Sequence, residues 1–254
     1  MSGKTAKVET FLKGHPKYAT LVTSPQRVSA IHIAASRGRA DLVKFLHVMG
    51  ANLLLQNIDT DQPIHLAAVS GSVETVRYLL SQHVDPNVVS WSGSGYTPLS
   101  YATWFNRVGV AKELLKSGAK VDFIPEPNGT TALTTSAHYG SFDAFKVLLE
   151  HKANPNLMHP SQGTALVEAV QWGAVWVKML LAAGANPNEP RSLADAFTAL
   201  HQAAFVGTVE VVRMLLARGA NPNTRDVLRK RPLDYAIEYR QDRAADILRK
   251  VTRE

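Results

Sequence analysis

The chain has 254 residues, a formal charge of +7 and no cysteine, which excludes a disulfide framework, a thiolate nucleophile and any cysteine-ligated metal site. Hydrophobic residues make up 45% of the chain and charged residues 19%, a balance that excludes an intrinsically disordered protein. No apolar run approaches the roughly 20 residues of a membrane-spanning helix, and lysines interrupt the first 25 positions, where a secretory signal would be apolar. We therefore expect an intracellular protein without a membrane span, in the cytoplasm or alternatively in the nucleus.

The first 28 residues precede a series of repeats. Val8, Phe11 and Leu12 form a short apolar face, and Lys7 and Lys13 are among the charged residues around it. A terminal unit of a repeat array needs one apolar face for its neighbour and one polar face for solvent. We expect residues 1–28 to form an N-terminal capping half-repeat.

A seven-residue phrase recurs from residue 29 onward. Its fourth residues lie at positions 32, 65, 100, 134, 167, 201 and 234, so successive copies are 33 to 35 residues apart. The copies begin at Ser29, Gln62, Thr97, Thr131, Thr164, Thr198 and Arg231. Self-similarity at this period is typical of stacked repeats, in which each unit buries its apolar face against the next.

Two further patterns keep the same period. A leucine near the end of an apolar helical segment recurs at Leu46, Leu79, Leu114, Leu148, Leu181, Leu215 and Leu248. Each of several loops that follow has the form Gly-Ala-Asn-Pro-Asn or a close variant, for example Gly219 to Asn223. Glycine at the end of a helix supplies a left-handed cap.

Together these residues resemble the ankyrin repeat family, whose pattern includes Thr-Pro-Leu-His-x-Ala-Ala, a glycine, Leu-Leu and Gly-Ala-Asp/Asn-x-Asn. The resemblance implies an all-α repeat solenoid of helix-turn-helix units with β-turn fingers. It also implies that His32, His65 and His201 hydrogen-bond neighbouring loops. We expect the array to span 29–254, divided approximately into 29–61, 62–94, 95–128, 129–161, 162–195, 196–228 and 229–254.

In the ankyrin pattern, the two residues before the recurring glycine face a concave groove. Five consecutive repeats of this chain place at least one aromatic ring there, and the fingers add two more rings. The predicted partner-binding residues are Tyr96, Trp104, Phe105, His138, Tyr139, Gln171, Trp172, Phe197, Phe205, Val206 and Tyr239. An exposed aromatic stripe marks a binding surface, and such a groove suits an extended peptide or a helix and loop. The alternative is that these rings pack in the core.

Three irregular segments modify this pattern. The third repeat has a longer finger, residues 91–95, in which Trp91 is a candidate rim contact. Another long finger, residues 189–195, offers Arg191 and Asp195 as rim contacts. The fifth repeat is one residue short after Gly173, so the sequence leaves the orientation of Trp172 and Trp176 open.

The charge distribution bears on the class of partner. Residues 1–50 carry eight Lys or Arg against two Asp or Glu, residues 225–254 carry nine against six, and the other 174 carry eleven against thirteen. Nucleic acid is disfavoured, because a phosphate-binding groove needs basic residues along its whole length. We expect a non-enzymatic protein-binding module with no catalytic residues, metal or cofactor. The alternatives are a targeting or adaptor segment of a larger enzyme or ligase assembly, and an anionic partner bound by the basic ends; the oligomeric state stays open.

Overall fold

The structure, a computed structural model of the chain, describes residues 2–23, 25–91, 95–125, 129–158, 163–192 and 195–252. The helices are α1 (Ser2–Gly14), α2 (Lys17–Thr20), α3 (Ala30–Ser36), α4 (Ala40–Val48), α5 (Pro63–Ser70), α6 (Val73–Ser81), α7 (Pro98–Trp104), α8 (Val108–Lys116), α9 (Ala132–Tyr139), α10 (Phe142–Glu150), α11 (Ala165–Ala169), α12 (Ala174–Ala182), α13 (Ala199–Val206), α14 (Val209–Ala217), α15 (Pro232–Glu238) and α16 (Asp242–Arg249). A 3₁₀ turn, Val170–Trp172, extends α11. These residues group into two compact units, Met1–Ala132 and Leu133–Glu254.

From α3 onward the helices form successive helical hairpins. Each hairpin consists of one helix that carries the seven-residue phrase, called a phrase helix below, and the leucine-bearing helix that follows it. Phrase helices pack on neighbouring phrase helices, as α3 does on α5, while each also contacts its own partner, as α3 does α4. All seven leucines of the predicted ladder are buried. The predicted all-α repeat class is therefore confirmed. No helix of the described ranges is both long and apolar enough to cross a membrane.

The phrase residues fix the start of each first helix. The Thr97 hydroxyl accepts the Ser100 amide at 3.1 Å, and Pro98 occupies the first helical turn, where its missing N–H costs nothing. In the second repeat the Gln62 amide donates to His65 Nδ1 at 3.0 Å. Nε2 of that imidazole donates to the Val88 carbonyl at 3.1 Å, which joins the helix to the following loop.

Asparagines join the loops of neighbouring repeats. The Asn188 side chain donates to the Gly219 carbonyl at 2.9 Å and accepts the Asn221 amide at 2.7 Å. Asn156 makes the same pair of bonds to Gly184 and Asn186. Each amide thus uses both its donor and its acceptor between repeats. The Asn-Pro-Asn loops are therefore connections between repeats as well as turns.

The fifth repeat, which is one residue short after Gly173, accommodates this difference at that glycine. Helix α12 begins directly after this glycine, whereas Ser72 separates Gly71 from α6. Gly173 has φ 96° and ψ −171°, a region that is open almost only to glycine. The preceding 3₁₀ turn rises further per residue than an α-helix, so fewer residues cover the same distance.

Candidate partner-binding surfaces

In the first unit, aromatic rings surround the end of α7. Trp104 is its last residue and Phe105 its cap, and the chain reverses at Asn106 with φ 51°. The Trp104 and Phe105 rings stack at 5.2 Å with an interplanar angle of 18°. Tyr96 lies 5.4 Å from Trp104 on the other side. Trp104 and Tyr96 are half-buried and Phe105 is exposed, so the cluster presents its edge to solvent.

Sequence reasoning missed Tyr101 in this cluster. Its ring is buried, lies 5.3 Å from Tyr96, and is nearly parallel to Trp104 at 6.2 Å and 8°. Tyr101 precedes Trp104 by three residues on one helix, a spacing that brings side chains together and could have identified it. The buried ring of Tyr101 therefore packs against the partly exposed rings of Tyr96 and Trp104.

The finger before this helix carries the candidate rim residue Trp91. Trp91 is exposed, and its ring lies over Gly95, where an added Cβ would come within 3.1 Å of the indole. The Ser90 and Tyr96 backbones form an antiparallel bridge that closes the finger. Residues 92–94 of this finger lie outside the described residues.

In the second unit, α9 ends with His138 and Tyr139. His138 Nδ1 lies 3.0 Å from Glu168 Oε2, and the largely buried Glu168 carboxylate is also 3.5 Å from the Gln171 amide nitrogen. The His138 and Tyr139 rings meet edge to face at 4.8 Å. Polar groups thus lie directly beside an exposed tyrosine.

The structure resolves the orientation of the two tryptophans in the short repeat. Trp176 is buried against Phe142 and Phe145, with ring centroids 5.0 Å and 4.5 Å away. Trp172 is exposed on one face, and its indole nitrogen donates to the Ala137 carbonyl at 2.5 Å. Trp172 is therefore a surface residue with a structural hydrogen bond.

The last two phrase helices contribute a second group of rings. Phe205 and Tyr239 meet edge to face at 4.4 Å, and Tyr239 lies nearly parallel to Tyr235 at 6.4 Å. Val206, next to Phe205, is exposed. Tyr235, which packs against Tyr239, is itself held by a hydrogen bond from its hydroxyl to the Asp226 carboxylate.

One predicted surface residue requires correction. Phe197 is only 9% exposed, because its ring stacks on His201 at 5.2 Å and meets Tyr235 edge to face at 5.4 Å. The Arg191 guanidinium covers its remaining side at 5.0 Å. Phe197 does not extend the exposed surface but packs beneath it.

The rim candidates Arg191 and Asp195 form one ion pair within their finger. The guanidinium Nη2 lies 2.8 Å from Asp195 Oδ2, and both side chains are partly buried. Burial alone would raise the pKa of Asp195, but the Phe197 amide and Arg191 hydrogen bonds hold that pKa below its usual value. Residues 193 and 194 of this finger lie outside the described residues.

Five rings share one degree of exposure. Phe105, Tyr139, Trp172, Phe205 and Tyr239 are each between 37% and 47% exposed. These rings are neither core residues nor freely projecting side chains, because each contacts another ring or, for Trp172, donates to a backbone carbonyl of the preceding repeat. The expectation that the rings are wholly core residues does not describe these five.

The imidazoles of the phrase are structural. His32, His65 and His201 are buried, and each Nε2 lies within 3.1 Å of a loop carbonyl. Burial lowers the pKa of all three. Among the described residues, no three His, Asp or Glu side chains converge in a way that could hold a metal ion.

Known proteins match the repeats directly. A family model described as "Ankyrin repeats (3 copies)" matches residues 31–124, 121–191 and 176–252. The human ASB11 ankyrin repeat domain superposes with a TM-score of 0.75 at 29% identity, covering 87% of this chain and 98% of that one. The ankyrin repeat domain of Bcl-3 superposes with a TM-score of 0.71 at 26% identity, covering 88% and 99%.

Curated relatives match over part of their length. The Caenorhabditis elegans homolog of transient receptor potential cation channel subfamily A member 1 is 30% identical over 188 residues, which are 73% of this chain and 15% of that protein. Human Rabankyrin-5 is 30% identical over 63% of this chain and 14% of its own length. Arabidopsis thaliana E3 ubiquitin-protein ligase KEG is 28% identical over 82% and 16%. The chain thus corresponds to a small part of each of these relatives.

Proposed function

This chain belongs to the ankyrin repeat family, and we propose that it is a non-enzymatic module that binds a protein partner through exposed aromatic rings at the ends of its phrase helices. Ankyrin repeat domains are in general protein-protein interaction modules. The observation that carries the proposal is the set of five partly exposed rings at the last two positions before the turn that ends each phrase helix. Exposed aromatic side chains are costly in water and are enriched at binding sites.

The rings are held in place before any partner arrives. Phe105 stacks on Trp104, and Tyr239 contacts both Phe205 and Tyr235. Such fixed rings lose little conformational entropy on binding, so more of the buried contact area contributes to affinity. Binding then requires little rearrangement of the backbone.

The second unit also offers polar contacts between its rings. The Glu168 carboxylate contacts His138 and the Gln171 amide, and the His138 ring lies against the ring of Tyr139. An aromatic surface interrupted by hydrogen-bonding groups is the composition expected of an interface with a protein. An extended peptide, or a helix and loop, would meet such a surface.

The test is a measured affinity with single alanine variants. The partner is first identified by affinity purification, and its binding to the purified chain is then measured by isothermal titration calorimetry. Tyr239→Ala and Phe105→Ala remove exposed rings, and we expect at least one of them to weaken binding by about 30-fold, the effect of a hot spot of about 2 kcal/mol.

Two matched controls lie on the second helices of their repeats. Val175 and Val48 are exposed apolar residues of α12 and α4, and alanine at either should leave affinity within about twofold. The proposal is wrong if both ring variants, shown to be folded by circular dichroism, bind as tightly as the controls.

A second candidate function is that of a targeting segment in a larger protein or assembly. The observation that favours it is that the matched region makes up 14 to 16% of the three relatives compared above. In that case a longer form of the protein should be detected in its source cells by immunoblotting with an antibody against the repeats. A single species of the 27.7 kDa mass calculated for this chain would exclude it.

A further inference from the structure

The first unit contains an apolar groove that none of the surfaces above includes. It lies where α1 packs against the α3 and α4 hairpin and has a volume of about 460 Å³. Its floor is made of buried Leu12, Ala34 and Leu46, and its walls include Val8 and Ile33. Ile33 is 55% exposed, so an apolar wall of the groove faces solvent.

Among the side chains that the structure describes, the charged residues lining the groove are Arg37 and Arg39. Arg39 pairs with Asp41 at 3.0 Å and also contacts the Thr5 hydroxyl, so its charge is already shared. Arg37 is exposed and has no ion-pair partner among the described residues. The described lining of the groove therefore combines apolar residues with an available cation, Arg37.

We propose that this groove binds a free fatty carboxylate, with the acyl chain against Ile33 and Val8 and the carboxylate at Arg37. The volume is within the range of small-molecule sites, which are mostly apolar and have a few polar groups that fix orientation. An acyl chain has no backbone N–H or C=O groups, so it leaves nothing unsatisfied against a lining whose polar groups are confined to the edge. The guanidinium can form a charge-assisted, bidentate contact with a carboxylate.

Chain length and charge make this proposal measurable. Each methylene that enters an apolar site strengthens binding by about fourfold at most. Sodium laurate, kept below its critical micelle concentration, should therefore bind the purified chain several-fold more tightly than sodium decanoate in isothermal titration calorimetry. Dodecyltrimethylammonium has the same chain with the opposite charge and should bind at least tenfold more weakly than laurate, because Arg37 repels it.

Two variants assign the binding to the groove. Ile33→Gln should weaken laurate binding tenfold or more, and Arg37→Gln should reduce the preference for laurate over dodecyltrimethylammonium. Ile237→Gln is the matched control, since Ile237 of α15 is 51% exposed and lies outside the groove. It should leave laurate binding unchanged.

Three outcomes would overturn the proposal: no laurate binding, equal binding of the anionic and cationic amphiphiles, or equal losses in Ile33→Gln and Ile237→Gln. A fourth arm uses vesicles of phosphatidylcholine and phosphatidylserine in equal amounts. If the chain cosediments with vesicles but does not bind laurate, the occupant is a membrane surface and the proposal is wrong. The site does not involve the aromatic surfaces, so failure here leaves the partner-binding proposal intact.

Discussion

The indole nitrogen of Trp172 donates to the backbone carbonyl of Ala137 in the preceding repeat at 2.5 Å. In two other repeats a contact of this kind comes from the residue just after the left-handed turn: Arg107 Nε donates to the Val69 carbonyl at 2.9 Å, and Gln241 Nε2 to the Phe205 carbonyl at 3.4 Å. The fifth repeat lacks a residue after Gly173. In the fifth repeat, Trp172, the residue before Gly173, makes a contact of this kind.

We expect Trp172→Phe to destabilise the protein by about 1 kcal/mol. The change keeps an aromatic ring at this position but removes the indole N–H that pairs with the Ala137 carbonyl. The free energy of unfolding is measured by urea titration followed by circular dichroism. Trp91→Phe is the control, because no hydrogen bond of the Trp91 indole occurs among the described residues, and it should change stability by less than about 0.5 kcal/mol. Equal effects of the two variants would contradict the proposed role of the bond.

Gly173→Ala should cost about 1 to 3 kcal/mol of unfolding free energy. The cause is conformational, since φ 96° and ψ −171° are strained for any residue with a Cβ, while the space around the glycine is open. Gly14→Ala is the comparison, because Gly14 also has open space and lies at the end of α1 without a positive φ. Thermal unfolding of both variants should show the larger loss for Gly173→Ala; the reverse order would rule out strain at this turn.

The buried histidines predict a loss of stability in mild acid. Burial lowers the pKa of His32, His65 and His201 from the ordinary 6.5, so the unfolded chain takes up protons that the native state resists. Unfolding free energy should be constant above about pH 6.5 and decrease below it, by at most about 1.4 kcal/mol per pH unit for each histidine. Urea titrations between about pH 7.5 and about pH 5 measure this slope, in a range where ordinary carboxyl groups stay ionised.

His65→Gln is the variant that assigns part of this slope. It removes one imidazole that must stay neutral in the native state, so the decrease between about pH 6.5 and about pH 5 should be smaller than in the unsubstituted chain. The variant is expected to be less stable at neutral pH, because the bond to the Val88 carbonyl changes. Only the pH dependence decides the point, and an unchanged slope would show that His65 is not a source of it.

Tyr235→Phe should destabilise the last finger by about 1 to 3 kcal/mol. The Tyr235 hydroxyl donates to Oδ2 of the buried Asp226, whose other oxygen accepts the amides of Leu228 and Lys230. Removing the donor leaves a buried carboxylate oxygen without that partner. Tyr239→Phe, on the neighbouring exposed ring, should be nearly neutral in the same urea titration. The prediction does not hold if the two phenylalanine variants are equally stable.

The fold could be predicted from the sequence because its signals are periodic. The phrase beginning at Ser29 and the leucine ladder beginning at Leu46 each fix one helix per repeat, and both are found where expected. The candidate surface could be predicted only in part. The positions before the left-handed turn correctly identified Phe105, Tyr139 and Tyr239 as exposed, since the repeat pattern places them at helix ends.

The remainder depends on contacts that lie outside the repeat pattern. Phe197 is buried because Tyr235 and Arg191 approach it from other segments. Tyr101 and Tyr235 occupy the same phrase position in the third and the last repeat, one that the other five repeats fill with aliphatic or polar residues, so their packing against neighbouring rings became visible only in the structure. Trp172 and Trp176 could not be oriented because a one-residue shortening changes the facing of a helix by about 100°.

Site-specific photo-crosslinking tests the central proposal most directly. The photoreactive residue p-benzoylphenylalanine replaces Tyr239 in one variant and Val175 of α12 in another, both at exposed positions of the second unit. After irradiation in cells, the proposal predicts that the Tyr239 variant is crosslinked to one specific protein, whereas the Val175 variant is not. Adding the substitution Phe205→Ala to the Tyr239 variant should abolish this crosslink. Capture of the same protein from both positions with equal yield, or from Val175 alone, would contradict binding at the aromatic surface.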